Sequence, residues 1–302
     1  MILKAFELMD TSAKLLLATA LLLIAAGIVC IARHIKRKKT AASNSEPHIS
    51  SSSVIGSRDT QQDYVLTPQT YGISDELRRE RGELVVLCDG MGGLRGGAYA
   101  SQTCCRVMLD SYYKGPQARP GEFFRDAMVK ADKAVAALTD ENGDSMHAGT
   151  TLVAVIVKDG ILYWASVGDS RVYMMSGNRL KQLTRDHNYL MRLMERVRRG
   201  EITESEALND PKRDALISYM GIGHVELMDI CAEGQKLRQN DIVILCSDGL
   251  YKSMSSGEIE KTVAQSLRGN GMIPAALTSA ALAKSWLRHD NITVAVVDRL
   301  AK

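Results

Sequence analysis

Buried strands that stop at carboxylates constrain the fold of this chain more than any other feature of its sequence. Five short apolar segments, rich in β-branched residues, have the length and the flanking turn signals of strands covered on both faces. They occupy residues 83–88, 150–157, 161–167, 241–246 and 292–297. Aspartates stand at or next to the ends of four of them, at Asp89, Asp169, Asp248 and Asp290. The fold must bury these strands and accommodate the charges beside them.

The number of these carboxylates predicts a common site. A single Asp-Gly is most often a plain turn, because glycine permits positive φ and Asp binds its own backbone. Carboxylates beside four separate buried strands would repel one another unless a cation lay between them. Mg²⁺ and Mn²⁺ combine few carboxylates with several waters, and the chain has no D-x-D-x-D-G calcium loop. Because a pair of such ions can bridge a hydroxide and hold a phosphate oxygen, the pattern favours hydrolysis of a phosphate ester.

Composition and motifs exclude several other classes of protein. The 302 residues, 45% hydrophobic and 24% charged, suffice for one large domain with a tail. Much of the net charge of +3 comes from one basic cluster at residues 33–39, so no nucleic-acid partner is expected. No zinc spacing and no G-x-x-x-x-G-K-[ST] nucleotide loop occurs. A cysteine phosphatase is excluded because its best candidate pair, Cys88 and Arg95, lacks the spacing of a phosphate loop.

The N-terminal region predicts a membrane anchor. Residues 15–32 read LLLATALLLIAAGIVCIA, and as a helix they would span about 27 Å, close to the thickness of a bilayer core. A cleaved signal peptide is the alternative, but basic residues follow the run directly where a cleavage site would stand. The heavier basic flank on the C-terminal side predicts a cytoplasmic catalytic domain. We therefore expect an N-terminal segment at 1–14, a transmembrane helix at 15–32, a basic and Ser-rich linker at 33–53 and a folded domain at 54–300.

Seven short motifs resemble, in their order along the chain, the metal-dependent type 2C protein serine/threonine phosphatases in their bacterial form. They are GSRDTQQD at 56–63, DGMGG at 89–93, GTT at 149–151, GDSR at 168–171, DH at 186–187, SDG at 247–249 and DNIT at 290–293. The resemblance covers residues 54–298 and implies an α+β fold of two packed antiparallel sheets flanked by helices. It also implies hydrolysis of phosphoserine and phosphothreonine in proteins by a metal-bridging hydroxide.

The resemblance assigns metal ligands residue by residue. Asp89 would bridge two ions, Mn²⁺ or Mg²⁺, and the carbonyl of Gly90 would bind one of them. Asp248 and Asp290 would complete the pair of ion sites. Asp63 would hold metal-bound water. These assignments imply that all five residues meet at one end of the two sheets.

The resemblance also implies roles for Asp169 and Arg58, and the sequence differs from the usual family pattern at Gln61 and Met91. Asp169, together with Asp248, is similar to a third, weaker metal position of bacterial members. Arg58 would hold the substrate phosphate, a role that suits a planar guanidinium with paired donors. Gln61 stands where bacterial relatives usually have Asn. Met91 stands where many eukaryotic members have a histidine proposed as general acid, so protonation of the leaving group would fall to a metal-bound water.

The segment 187–226 resembles the mobile flap of bacterial members. Its pattern predicts a helix that ends at Gly200 and a second helix opened by a capping box at Thr203 and Glu206. Two amphipathic packing helices are predicted further on, at 256–268 and 274–286, while residues 67–82 have no assigned element. The expected partners are phosphorylated protein substrates and a cognate Ser/Thr protein kinase, with the membrane reached through the N-terminal helix. Two alternatives remain at this point: a catalytically inactive, membrane-tethered binding module, and a narrow-specificity phosphatase of a sigma-factor regulatory pathway.

Overall fold

Two packed antiparallel sheets between layers of helices make up the described part of the chain. The computed structural model describes residues 47–92, 96–269, 271–284 and 288–298. Its strands are β1 (His48–Val54), β2 (Asp63–Leu66), β3 (Glu83–Met91), β4 (Gly149–Thr150), β5 (Leu152–Lys158), β6 (Ile161–Val167), β7 (Arg171–Ser176), β8 (Arg179–Gln182), β9 (Asp229–Lys236), β10 (Ile242–Cys246) and β11 (Ile292–Asp298). Its helices are α1 (Asp75–Arg81), α2 (Gly96–Tyr113), α3 (Pro120–Ala136), α4 (Tyr189–Arg198), α5 (Glu204–Asn209), α6 (Asp248–Ser253), α7 (Ser256–Arg268) and α8 (Ile273–Leu282).

The strand order confirms the predicted two-sheet architecture. One sheet has the order β1-β11-β10-β7-β8, and the other has the order β2-β3-β5-β6-β9 with β4 paired to β3. Each of these neighbouring pairs is antiparallel. Helices α2 and α3 share a core with the second sheet, while α7 and α8 share one with the first. The layers are therefore helix, sheet, sheet and helix.

Burial on both faces explains the continuous apolar runs. Val85 and Leu87 of β3 belong to the core between the sheets, together with Val243 and Leu245 of β10. The alternate residue Val86 points to the other side of β3, into the core shared with α2 and α3. Successive side chains of a strand point to opposite faces, so a strand covered on both sides needs an apolar residue at every position.

The structure differs from the predicted linker at residues 48–53, which form most of β1. This strand pairs along its whole length with β11. The hydroxyl of Ser52 lies 2.9 Å from that of Thr278, and the hydroxyl of Ser53 lies 2.7 Å from that of Thr293. A polar strand at a sheet edge is held by its backbone ladder and such hydroxyl pairs, without the apolar alternation that marks a strand in sequence. The folded domain therefore includes residues 48–53.

The predicted membrane helix at 15–32 lies outside the described residues, as do the segments 1–14 and 33–46. Across 47–298, apart from the three short internal gaps, no helix has both the length and the apolar content needed to cross a bilayer. The anchor therefore stays a prediction from sequence.

Other predicted elements agree with the structure or extend it. The strand predicted at 161–167 is β6, and the helix predicted at 256–268 is α7. The helix predicted at 274–286 corresponds to α8, which ends at Leu282, while residues 285–287 are not described. The segment 67–82, which had no assignment from sequence, contains α1, capped at its start by the Ser74 hydroxyl.

Candidate active site

Asp63 and Asp89 lie opposite each other on neighbouring strands. Asp63 begins β2, and its partner across the β2–β3 ladder is Asp89. The sequence pattern predicted that β3 ends before Asp89, but the strand continues to Met91, so Asp89 lies within the ladder. The Asp89 N–H donates to the Thr151 hydroxyl at 3.1 Å, and the Thr150 hydroxyl donates to the Asp89 carbonyl at 2.8 Å. Both threonines therefore hold the backbone that carries Asp89.

Asp248 and Asp290 reach the same end of the molecule from the other sheet. Asp248 is the first residue of α6, shortly after β10, and Asp290 precedes β11. The Ser247 hydroxyl donates to Asp63 Oδ2 at 2.7 Å and accepts the Thr293 N–H at 3.0 Å. Ser247 thus connects the two sheets at the site. No role was predicted for Ser247 from the sequence, although its position directly before Asp248 indicated that it lies at the site.

The five predicted carboxylates lie near enough to influence one another's charge. Burial raises the pKa of Asp89 well above its usual range, and the negative charges of four other carboxylates raise it further. These four are Asp63, Asp248, Asp169 and Asp290. Burial likewise raises the pKa of Asp63 to about 7, against the opposing effect of hydrogen bonds from Ser247 and Thr293. Burial also raises the pKa of Asp169 to about 6, with a further contribution from the charge of Asp248.

Two buried carboxylate oxygens at the site lack a hydrogen-bond partner among the described residues. They are Asp63 Oδ1 and Asp248 Oδ1. An unpaired buried carboxylate oxygen is costly, and a nearby cation removes that cost. Within the described ranges, no three His, Cys, Asp or Glu side chains already form a compact cluster for an ion. The two unpaired oxygens are nevertheless donors of the type that Mg²⁺ and Mn²⁺ bind, since these ions take few carboxylates and complete their shells with carbonyls and water.

Gly90 cannot be replaced without moving the backbone beside Asp89. A Cβ at this position would lie 2.0 Å from the carbonyl oxygen of Gly97, at the start of α2. A Cβ at Gly97 would in turn lie 2.9 Å from the side-chain carbonyl carbon of Gln62. Close approach of two backbone segments requires glycine on both sides. The backbone of α2 therefore packs directly on the strand that carries the predicted carbonyl ligand.

Arg58 is an exposed cation that contacts the site. Its side chain is 60% exposed, and its Nη2 lies 2.6 Å from Asp290 Oδ2. The hydrogen bond and charge of Asp290 raise the pKa of the Arg58 guanidinium, with smaller contributions from Asp248 and Asp89. The guanidinium is thus held over the acidic cluster at a position that solutes can reach. This position agrees with its predicted role as a phosphate-binding residue.

Gln61, the departure noted in the first motif, connects two strands. Its side-chain oxygen accepts the Asp63 N–H at 3.1 Å, and its amide nitrogen donates to the Ser53 hydroxyl at 2.9 Å. The longer arm of glutamine therefore reaches β1 while still supporting the backbone of Asp63. The substitution leaves the position of Asp63 well supported.

Lys252 is a cation at the edge of the site formed by Asp169 and Asp248, and it was not predicted from the sequence. Lys252 lies one helical turn after Asp248 on α6, and its Nζ lies 2.5 Å from Asp248 Oδ2. The Tyr251 hydroxyl donates to Asp169 Oδ2 at 3.1 Å. The Arg171 guanidinium stacks on the Tyr251 ring, 3.5 Å from its centroid. The i,i+4 spacing of Asp248 and Lys252 was the available sequence signal.

The Asp186-His187 motif is structural. The Asp186 carboxylate binds the Arg171 guanidinium at 2.6 Å. The Gly168 N–H donates to Nδ1 of the buried His187 at 3.2 Å, and the His187 N–H donates to the Gly168 carbonyl at 2.9 Å. These contacts fix the loop that presents Asp169.

The flap-like segment returns to the core beside the Asp89 strand. It contains α4 and α5, and the predicted capping box of Thr203 and Glu206 opens α5. Met220 exchanges two backbone hydrogen bonds with Thr150, at 2.8 and 3.0 Å. The Tyr219 ring covers Gly149 so closely that a Cβ there would lie 2.6 Å from it. The end of this segment is therefore built into the same strand pair as the site.

Comparisons with known proteins find similar phosphatases. A family model described as protein phosphatase 2C matches residues 48–200. The serine/threonine phosphatase Stp of Listeria welshimeri is 32% identical over 221 residues, which cover 72% of this chain and 84% of that protein. The crystal structure of the Mycobacterium tuberculosis serine/threonine phosphatase PstP/Ppp has a TM-score of 0.67 at 26% identity, covering 84% of this chain and 99% of that one. The catalytic domain of PstP in complex with two manganese ions has a TM-score of 0.63 at 26% identity, covering 83% of this chain and 97% of that one.

Proposed function

This chain belongs to the protein phosphatase 2C family and is a protein serine/threonine phosphatase, and from that premise we propose that two Mn²⁺ or Mg²⁺ ions at the carboxylate site support its reaction. The observation that carries the proposal is the convergence of carboxylates from separate strands of both sheets, with buried oxygens that lack a protein partner. The family is metal-dependent, and the structure of the PstP catalytic domain contains two manganese ions.

The residues that would hold the ions are those assigned by the resemblance. Asp89 and the Gly90 carbonyl would hold one ion, and Asp89 would share the second with Asp248 and Asp290. Asp63 would orient water through the oxygen that has no protein partner. When bound, two divalent ions supply a nucleophilic water at neutral pH and neutralise phosphate charge.

Arg58 would bind the substrate phosphate. Its Nη2 binds Asp290. The remaining N–H groups of the guanidinium belong to an exposed side chain, so a substrate can reach them. Phosphate oxygens accept such paired donors in a fixed orientation, so Arg58 would set the angle at which the phosphate meets the carboxylate site. The contact with Asp290 keeps the guanidinium in place before substrate binds.

The hydroxyls behind the carboxylates would keep the geometry of the site. Ser247 donates to Asp63 Oδ2, and Oδ1 stays without a hydrogen-bond partner among the described residues. Met91 cannot donate a proton, so protonation of the serine or threonine leaving oxygen would fall to water. The residues of the chain therefore position charge and water. Positioning and charge stabilisation account for most of the catalysis of phosphoryl transfer.

We also propose that residues 15–32 anchor the domain at the cytoplasmic face of a membrane, where it would reverse a Ser/Thr protein kinase. The uncharged run of residues 15–32 and the basic flank at 33–39 support this proposal. Membrane fractionation with protease protection of the full chain tests it, and a soluble or externally digested domain would contradict it. The inactive binding module is disfavoured because Asp63, Asp89, Asp248 and Asp290 are all retained.

The test of the enzymatic proposal is hydrolysis by the full chain in detergent. Substrates are p-nitrophenyl phosphate and phosphothreonine peptides, with Mn²⁺, with chelator, and with Mn²⁺ restored. We expect activity to vanish with chelator and to return with Mn²⁺. The Asp241→Asn variant is a matched control, because Asp241 is a buried aspartate beside β10 that binds Ser176 instead of the site. Chelator-resistant turnover would refute the metal site.

A further inference from the structure

Lys252 contacts Asp248 at the edge of the site where the resemblance predicts a third, weaker metal ion. That ion would lie between Asp169 and Asp248. In the structure, the two carboxylates at this edge already have protein partners: Lys252 binds Asp248 Oδ2 and Tyr251 binds Asp169 Oδ2. A third ion shared by the two carboxylates would have to compete with both contacts.

The two oxygens of Asp248 have different surroundings. Oδ2 receives the Lys252 ammonium at 2.5 Å, whereas Oδ1 is buried and has no hydrogen-bond partner among the described residues. One oxygen is therefore neutralised by the chain itself, and the other remains for an ion. Asp248 can therefore be a ligand of the two-ion centre through Oδ1, while Oδ2 is bound by Lys252 instead of a third ion.

Carboxylates surround Lys252. Its Nζ lies 2.5 Å from Asp248 Oδ2, and Asp169 and Asp214 also contribute negative charge at this cation. Asp214 belongs to the flap-like segment, so that segment also contributes to holding the cation.

A second cation lines the same edge. The Arg171 guanidinium stacks on the Tyr251 ring and is bound by Asp186. A divalent ion beside Asp169 would therefore approach an edge that already carries the Lys252 ammonium and this guanidinium. Like charges repel, and the repulsion is larger near a protein than in bulk water.

We propose that the Lys252 ammonium replaces a third divalent ion between Asp169 and Asp248, so that this chain binds two ions and no more. The inference rests on the proposed function, because it assumes the two-ion centre. A compact ammonium with three donors suits the role, since it neutralises a carboxylate without needing the ligand shell of a dication. Lys252 is then a positioning residue that fixes the charge of the site.

The test is the stoichiometry of Mn²⁺ binding to the full chain, measured by titration of free Mn²⁺ with electron paramagnetic resonance. We expect the wild type to bind two ions and the Lys252→Met variant to bind three, with the affinity for the additional ion raised more than about tenfold. The double variant Lys252→Met/Asp169→Asn should return to two. Lys252→Arg keeps the charge and should also bind two.

Lys114→Met is the matched control. Lys114, directly after α2, and Asp110 of α2 form an i,i+4 pair with the same 2.5 Å separation as Lys252 and Asp248. Its loss should leave two ions. Thermal melting verifies that each variant is folded, and Lys252→Gln replaces Lys252→Met if the latter does not fold.

The outcomes separate the two hypotheses. Two ions in folded Lys252→Met, or three ions in the wild type, would overturn the inference and leave the two-ion centre standing. A wild type that binds no Mn²⁺ would remove the centre of the proposed function and this inference with it.

Discussion

Replacing Asp63 with asparagine should stabilise the metal-stripped protein at neutral and alkaline pH. Asp63 is 4% exposed, its Oδ1 has no hydrogen-bond partner among the described residues, and burial raises its pKa to about 7. Asparagine keeps the shape and can still accept the Ser247 hydroxyl through its side-chain oxygen. The substitution therefore removes a buried charge and leaves the packing in place.

The sign and size follow from the difference between the folded and unfolded pKa values. The folded carboxyl keeps a proton that the unfolded chain releases near pH 4, so stability falls as pH rises from about 4 to about 7. The shift of about 3 pKa units corresponds to about 4 kcal/mol at pH 8, at 1.36 kcal/mol per unit. The Asp63→Asn variant avoids this cost. At about 2 °C per kcal/mol, its melting temperature should exceed that of the wild type by about 8 °C at pH 8 and by little at pH 4.

The assay is thermal melting of the full chain with chelator, followed by circular dichroism at intervals from pH 4 to pH 8. Asp132→Asn is the control, because the buried Asp132 carboxylate accepts the backbone N–H groups of Gly221, Gly223 and Val225. An amide cannot satisfy all three donors with the same geometry, so this variant should be destabilised at every pH. A difference between Asp63→Asn and the wild type that does not grow with pH would refute the reasoning.

Three further predictions concern activity and local stability. Asp89→Asn or Asp248→Asn should lower turnover of p-nitrophenyl phosphate by more than about 10³-fold while circular dichroism shows an intact fold, because each removes a ligand of the ions; full activity in either would contradict the site. Arg58→Ala should raise KM for a phosphopeptide by about tenfold and change kcat little, because it removes a binding contact, and steady-state kinetics with unchanged KM would count against phosphate binding. Thr203→Ala should destabilise α5 by about 1 kcal/mol, because it removes the capping box, and hydrogen exchange should become faster there and remain unchanged in β3.

Much of the fold could be predicted because its strands are buried on both faces. Residues 161–167 and 256–268 agree with β6 and α7, since their apolar periods reflect the faces that are covered. The helix end at Gly200 and the capping box at Thr203 were equally visible, because capping chemistry is local. The two-sheet architecture came from the resemblance, since strand order depends on pairings that are distant in sequence.

The polar edge strand was not visible in the sequence. Residues 48–53 read as a linker because a Ser-rich segment has no apolar period, yet their backbone pairs with β11 at the far end of the chain. The continuation of β3 through Asp89 was hidden for a similar reason, because an Asp-Gly pair is typical of a turn. The Gly90 backbone is held in the strand by contacts with Thr150 and Gly97, which are remote in sequence.

The candidate carboxylates could be predicted from sequence, because each stands in a motif that carries the family resemblance or beside a recognisable strand end. The balance of their charges depends on the fold: Arg58 binds Asp290, Lys252 binds Asp248, and Ser247 holds Asp63. Partners of this kind depend on the distance and burial of groups that different elements bring together. Periodicity and motif spacing report neither quantity, so the charge balance of the site emerges only when the two sheets pack.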